Sequence, residues 1–158
     1  MAFNVNSIEL VDAIEKKILK ETRANPEVRK NPDWFPKTTT VTDISLVLAR
    51  SYMSKVLLHK TKVATPGDIE NMVALILEQH RWLRKRGQGR PREIPSVNQL
   101  RIWYCKAGAV IKDHEESLSR DPETAVTKNV LLANLKLGMC HMVAQEFYGG
   151  DDALFHDK

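Results

Sequence analysis

At 158 residues, the chain is long enough to bury a core as a single domain without disulfide or metal support. Its composition, 42% apolar and 28% charged, indicates a soluble globular protein, and we find no repeat of solenoid period and no low-complexity tract. No apolar run approaches the eighteen or so residues that cross a membrane, and the first residues lack the pattern of a secretion signal, so we expect no membrane partner and a cytoplasmic location.

The first predicted helix is defined by its caps and its apolar spacing. Asn6 can cap it, with Glu9 at the third helical position reaching back to complete the cap. It should end before Asn25, because a residue that precedes a proline, here Pro26, is pushed out of the α region. One face is apolar at steps of three and four residues, and consists of Ile8, Val11, Ile14 and Ile18.

Residues 25–40 are rich in proline and threonine and are predicted to be irregular. Within this segment, Trp34 and Phe35 are costly to leave in water, so they are expected to pin the loop to the core. A loop that uses the same aromatic pair to dock a partner is the alternative.

Two further helices follow the loop. Thr42 and Asp43 are predicted to open the second. The third has a threonine cap at Thr65, a proline at the first helical position and a carboxylate at Asp68. These two helices could form a helix-turn-helix, but the connection between them is longer than the three- to four-residue turn of that motif.

A strongly basic segment begins in the last turn of the third helix. From Arg81 to Lys106 there are eight Lys or Arg and one acid, whereas the whole chain has a net charge of +4. Two glycines and a proline within five residues favour an exposed loop, which we place at residues 84–95. An anionic partner is therefore the first to consider.

The core of this loop, Gly89-Arg90-Pro91, resembles the AT-hook, a short peptide that binds the minor groove of A·T-rich DNA. The resemblance implies that Arg90 enters the groove, where a flat guanidinium fits between the walls and glycine permits close approach. The segment Gly87-Gln88-Gly89 departs from the shorter Arg-Gly-Arg-Pro run of a compact hook. A solvated basic turn between two helices is the alternative.

The fourth predicted helix starts at a capping box formed by Ser96 and Gln99. A basic arm followed by a capped helix is a layout used by DNA readers, whose arm enters the minor groove while a helix lies in the major groove. Side chains away from the helix's apolar face would extend the contact with phosphates. The predicted nucleic-acid-binding residues are Arg81, Arg84, Lys85, Arg86, Arg90, Arg92, Arg101 and Lys106.

The fifth predicted helix, at about 122–148, is apolar on nearly every side. Asp121 is its expected cap and Pro122 stands just inside, while a double glycine ends it. Because a helix without a polar face is buried on most sides, we expect it at the centre of the domain or of an oligomer interface.

The acidic tail, residues 149–158, contains one apolar pair, Leu154 and Phe155, which is a candidate docking site for a partner. From Asp113 to the end of the chain there are nine acids against four Lys or Arg. The tail could therefore also compete with nucleic acid for the basic loop, because unlike charges on one chain attract. A frayed terminus is the remaining alternative.

Sequence signals of enzyme chemistry are weak. The five histidines include no His-Glu-x-x-His pair, and the chain has neither a glycine-rich phosphate loop after a strand nor a Gly-x-Ser-x-Gly elbow. Cys105 and Cys140 lack a Cys-x-x-Cys spacing and are predicted to be buried free thiols in a reducing compartment. We expect no catalytic residue, no metal, no cofactor and no small-molecule substrate.

Together, these patterns predict an all-α fold of about five helices in a bundle-like single domain, residues 1–148, with the fifth helix central. The leading functional hypothesis is a non-enzymatic protein that binds nucleic acid, specifically duplex DNA, through the basic loop and the adjoining helix. The alternative is a helical assembly or adaptor subunit that forms a homo-oligomer, or pairs with another chain, through its apolar helix faces.

Overall fold

Helices make up most of the chain in the computed structural model. It describes residues 3–4, 7–26, 28–32, 35, 38–52, 63–84, 94–124 and 126–155. The helices in these residues are α1 (Ile8–Ala24), α2 (Val41–Tyr52), α3 (Pro66–Arg84), α4 (Val97–Arg120), α5 (Lys128–Phe147) and α6 (Asp152–Phe155). The predicted all-α fold is confirmed. The chain divides into an N-terminal unit, Met1–Ile94, and a C-terminal unit, Pro95–Lys158, and the extent of the single domain, 1–148, stays a prediction.

In the N-terminal unit, α1, α2 and α3 pack against one another in all three pairs. Their apolar faces supply the core. On α1 the predicted Ile14 and Ile18 are buried, whereas the predicted Ile8 is 83% exposed, because it lies about 120° around the helix from Ile14. The large side chains at its centre, each at most 1% exposed, are Leu10, Ile14, Ile18, Ile44, Leu48, Met72, Ile76 and Leu83. A short antiparallel pairing of β1 (Phe3–Asn4) with β2 (Val63–Ala64) joins the residues before α1 to those before α3. Strands of two residues are too short to give an alternating pattern, so the sequence did not predict them.

Two contacts attach the loop between α1 and α2 to the core, the burial of Phe35 and a hydrogen bond to His80 of α3. Phe35 is 7% exposed, which confirms its predicted burial, whereas Trp34 lies outside the described residues. On α3, the fully buried His80 places Nε2 2.9 Å from the carbonyl oxygen of Lys30. This hydrogen bond gives the buried Nε2 atom and the Lys30 carbonyl a partner, and it holds the loop against α3.

Reciprocal caps start α2 and α3. Thr65 Oγ1 accepts from the Asp68 N–H at 3.2 Å, and the Asp68 carboxylate accepts from the Thr65 N–H at 3.0 Å, as predicted. Thr40 and Asp43 make the same pair of bonds, so the cap of α2 is Thr40 and not Thr42. The Thr40 backbone N–H, followed by the Thr40 side chain, holds the pKa of the Asp43 carboxyl below its ordinary value.

The cap of α1 also differs from the prediction. Ser7, and not Asn6, precedes the helix, and its Oγ accepts from the Leu10 N–H at 3.2 Å. Serine and asparagine are nearly equal as caps, so neighbouring candidates could not be ranked from sequence. The predicted end is confirmed, because Asn25 closes the helix by donating its N–H to the Glu21 carbonyl.

In the C-terminal unit, α4 and α5 pack along their lengths, and α6 packs against both. The buried side of α4 includes Leu100 and Ala107, whereas half of the residues of α5 are buried. Leu135, Met139 and Val143 of α5 are fully buried. The predicted burial of the fifth helix is therefore confirmed within the C-terminal unit.

The start of α5 corrects the prediction of a helix from residue 122. Asp121 closes α4 by donating its N–H to the Ser117 carbonyl at 2.9 Å, and its carboxylate accepts from the Glu123 N–H at 3.0 Å. These bonds make a turn, because an aspartate side chain can hydrogen-bond to the backbone two residues on. The cap of α5 is Thr127, whose Oγ1 accepts from the Val130 N–H at 3.3 Å.

The predicted double-glycine end of α5 is confirmed and has a geometric reason. Gly149 and Gly150 have φ angles of 78° and 130°, a region that strongly favours glycine. The N–H groups of Tyr148 and Gly150 both donate to the Ala144 carbonyl, which satisfies an acceptor in the last turn. The chain can then reverse into α6.

Replacing Leu135 with aspartate tests the burial of α5. Leu135→Asp places an unpaired carboxylate at a fully buried position, which should lower the free energy of unfolding by about 3–5 kcal/mol, a large part of a domain's total stability. Urea denaturation followed by circular dichroism measures the change.

The matched control is Gln145→Asp, which adds the same group at an exposed position of the same helix and should change stability by less than about 1 kcal/mol. Equal and small losses in both variants would contradict the burial of this face.

Candidate nucleic-acid interface

The structure describes only the edges of the predicted basic loop. Arg81 is exposed on α3, and Arg84 is the last residue of that helix. The predicted contacts in the middle of the loop lie outside the described residues, and these are Lys85, Arg86, Arg90 and Arg92.

Beyond the loop, α4 carries four basic side chains, and the three in its first two-thirds lie on two faces. Lys106 and Lys112 are exposed, and Arg101 is half-buried. At about 100° per residue, Arg101 and Lys106 are separated by about 140° around the helix, so they do not face the same way. Lys112, eleven residues after Arg101, lies within about 20° of it and about 16 Å further along the axis. Lys112 was not among the residues predicted from the sequence, although its spacing of eleven residues from Arg101 could have identified it.

Charge changes sign along α4. Directly beyond Lys112 come three exposed acids, Asp113, Glu115 and Glu116. An anionic surface would be repelled by this end of the helix and attracted by residues 97–112. The basic part of α4 is therefore its first two-thirds, the part that follows the basic loop in the sequence.

The beginning of α4 is built as a helix N-terminus without negative charge. Its first turn contains no acidic residue, and the Ser96 cap accepts the Gln99 N–H at 3.1 Å, which confirms the predicted cap. Just before the cap, the carbonyl of Pro95 accepts a 2.6 Å hydrogen bond from the Tyr148 hydroxyl. The N-terminus of a helix carries a partial positive charge, so this end favours an anion.

Arg101 is engaged within the C-terminal unit. Its Nε donates a 2.8 Å hydrogen bond to the carbonyl of Ala153 in α6. A guanidinium has five N–H donors, so one of them is committed to α6. The position of α6 on α4 therefore controls how much of the Arg101 guanidinium can reach a phosphate.

Residues 149–155 of the acidic tail pack onto α4 and α5. His141 Nδ1 lies 2.8 Å from Asp151 Oδ1. The ring of Tyr104 meets the rings of His141 and Phe155 edge-on, at centroid distances of 5.5 and 5.4 Å. Of the predicted docking pair, Leu154 is buried at 5% exposure, whereas Phe155 is 57% exposed. The apolar anchor of the tail is thus used inside the chain.

The two cysteines have different environments. Cys140 is buried, and its thiol donates to the Leu100 carbonyl oxygen, with sulfur and oxygen 3.6 Å apart. Burial raises the pKa of this thiol to about 12. Cys105 is exposed on α4, which corrects the prediction that both thiols are buried. A cysteine inside a helix can lie on either face, and α4 has a polar face.

The pKa of Tyr104, on α4, is also raised. Burial is the main cause, and the negative charge of Asp151 is the second.

Among the residues that the structure describes, no group of three or more His, Cys, Asp or Glu side chains could hold a metal ion. Within the same ranges, no helix combines the length and the apolar character that crossing a membrane requires.

Comparison with known proteins assigns no family. The chain matches no protein-family model, and neither curated proteins nor solved structures gave a match. Function has to be inferred from charge, exposure and geometry.

The thiols give a direct test of this arrangement. In native protein at mildly alkaline pH, a disulfide reagent such as dithionitrobenzoate should modify Cys105 promptly and leave Cys140 unreacted, because burial raises the pKa of the Cys140 thiol to about 12 and shields its sulfur. Released thionitrobenzoate, read by absorbance, should reach one equivalent per chain, and two after denaturation. Cys105→Ser should remove the native signal. Prompt reaction of both thiols in native protein would contradict the buried position of Cys140.

Proposed function

We propose that this chain is a non-enzymatic nucleic-acid-binding protein that holds duplex DNA with the basic loop, residues 84–95, and with the first two-thirds of α4. The observation that carries the proposal is the concentration of positive charge between Arg81 and Lys106, eight Lys or Arg against one acid. Charge of this density attracts the phosphate backbone, and binding gains free energy from released counterions.

Exposure of the flanking cations supports this proposal. Arg81, Lys106 and Lys112 are exposed on helices. A solvated cation on a rigid helix can contact a phosphate without unfolding its surroundings, and such contacts set the position of a protein on the duplex.

The start of α4 adds a second source of attraction. The basic loop leads directly into a helix N-terminus whose first turn has no acid. A phosphate placed there would meet backbone N–H groups and the positive end of the helix dipole. The acids beyond Lys112 would confine the contact to residues 97–112.

Sequence preference is proposed to come from the loop. The core Gly89-Arg90-Pro91 resembles the AT-hook, which supports insertion of Arg90 into a narrow A·T minor groove with its enhanced negative potential. The free cysteines Cys105 and Cys140 support a reducing compartment, and we propose the cytoplasm.

A salt titration tests phosphate contact. If four to six phosphates are neutralised, log affinity for a duplex should fall against log salt with a slope of about −4 to −5, measured by fluorescence anisotropy between about 50 and 200 mM salt. Replacing both Lys106 and Lys112 with alanine should reduce the steepness by about 2, because each phosphate contributes about 0.9.

The control is Lys20→Ala, which removes an exposed lysine from α1 and should leave the slope unchanged. Arg90→Ala should weaken binding more for an A·T-rich than for a G·C-rich duplex. A slope near zero for the unchanged protein would refute phosphate contact, and equal losses on both duplexes would refute minor-groove insertion.

A second candidate function is an assembly or adaptor subunit that self-associates or pairs with another chain. The observation in its favour is a row on α4 at steps of four residues, Ile102, Lys106 and Val110, in which Ile102 is 40% and Val110 is 36% exposed. Exposed apolar residues on one helix face suit a partner helix. A dimeric mass by light scattering that becomes monomeric in Ile102→Ser, with no retained nucleic acid at low salt, would favour this candidate.

A further inference from the structure

The outer side of α4 is exposed along the whole helix. The helix buries Leu100 and Ala107, and at 24 residues it is about 36 Å long. Exposed residues on the opposite side fall within an arc of about 160°. We call them the outer face, and they are Asn98, Ile102, Cys105, Lys106, Ala109, Val110, Lys112, Asp113, Glu116 and Arg120. A face of this length can hold a partner helix.

Four apolar side chains lie together on the outer face between residues 102 and 110. Ile102 and Val110 are 40% and 36% exposed, and Cys105 and Ala109 are exposed between them. A second helix over these side chains would remove apolar surface from water, and the small Cys105 and Ala109 allow the helix axes to approach to about 8–10 Å. Apolar contact alone would accept many helices, so the surrounding charges decide which helix fits.

The charges of α4 are complementary to those of a second α4. Residues 97–112 contain three Lys or Arg and no acid, whereas residues 113–120 contain three acids and one Arg and so stay negative. A parallel copy in register would set like charges against each other. An antiparallel copy sets the basic part of each helix against the acidic part of the other, and a two-fold axis makes each contact occur twice. The charges match best with the axis near Val110, midway between Lys106 and Glu115.

We propose that α4 pairs with α4 of a second copy of this chain, antiparallel and through the outer face. The pair is symmetric about an axis near Val110, with Lys106 of each copy close to the acids at 113–116 of the other. The proposal rests on the second candidate function, self-association, and names its partner and orientation. A contact of two helices is smaller than a standard interface of about 1,600 Å², so the association is weak. Lys106 is also a proposed phosphate contact, so pairing and DNA binding compete at this residue.

Sedimentation velocity of the full chain, freed of nucleic acid, measures the pairing between about 10 and 200 µM. The unchanged protein should form dimers whose fraction rises with concentration. Ala109→Arg places two guanidinium groups close to the axis and should weaken the dimer at least about tenfold. Ala24→Arg adds the same group at an exposed position of α1 and should leave the dimer unchanged.

Exchanging the charges tests their complementarity. Lys106→Glu with Lys112→Glu makes the outer face mainly acidic, and Asp113→Lys with Glu116→Lys makes it basic. Either double variant alone should associate about two- to fivefold more weakly for each reversed pair, the range measured for exposed ion pairs. An equimolar mixture of the two double variants should regain at least the association of the unchanged protein.

A distance between two labels separates the orientations. A nitroxide on Ser119→Cys lies near the end of α4, and a Cys105→Ser background leaves only the buried Cys140 besides it. At 1.5 Å per residue, the two labels of an antiparallel pair are about 25 Å apart along the axis, whereas those of a parallel pair are about 10 Å apart. Pulsed electron paramagnetic resonance measures this distance.

Three results would overturn the proposal. They are an unchanged protein that stays monomeric at about 200 µM, a label distance near 10 Å, and a mixture of charge variants that regains no association. A dimer that survives Ala109→Arg also overturns it, but leaves the second candidate function standing on another face. None of these measurements uses nucleic acid, so the proposed DNA binding is judged separately by its salt titration.

Discussion

The burial of α5 is the constraint on which the C-terminal unit depends. Its central side chains, Leu135, Met139 and Val143, are fully buried, and exposing them would cost about 2 kcal/mol each. Because α4 supplies Leu100 and Ala107 to the packing, the opposite side of α4 is left to solvent. At about 100° per residue, Lys106 and Lys112 lie on the two flanks of α4, each more than about 100° around the helix from this packed side. The cations of the proposed interface are thus displayed as a consequence of apolar packing, on a helix that the packing holds rigid.

Local signals allowed much of the fold to be predicted from the sequence. The caps at Thr65 and Ser96 were predictable because each depends on residues within one helical turn. The misplaced start of α5 came from a real local signal, since Asp121 does bond to the backbone of Glu123. That bond serves a turn after α4 instead of a helix start, and aspartate favours both. Such competition between two local structures cannot be resolved from residue type alone.

The candidate site was predictable in composition but not in its long-range contacts. The basic character of residues 81–106 is visible in the sequence, and the position of Lys112 follows from helical geometry once α4 is known to continue through it. The tie between Arg101 and Ala153 joins residues 52 positions apart. The pairing of His141 with Asp151 depends on a chain reversal at Gly149, whose φ is 78°. These contacts result from how the helices pack, which periodicity does not specify.

The central claim is that the basic loop and the first two-thirds of α4 each contact duplex DNA. Its most direct test is a map of backbone amide chemical shifts as a short A·T-rich duplex is added at low salt. The largest changes should fall in residues 81–92 and 97–112, while α1 and residues 113–120 should change little. An absence of changes, or changes confined to α1 or to the acidic end of α4, would contradict it.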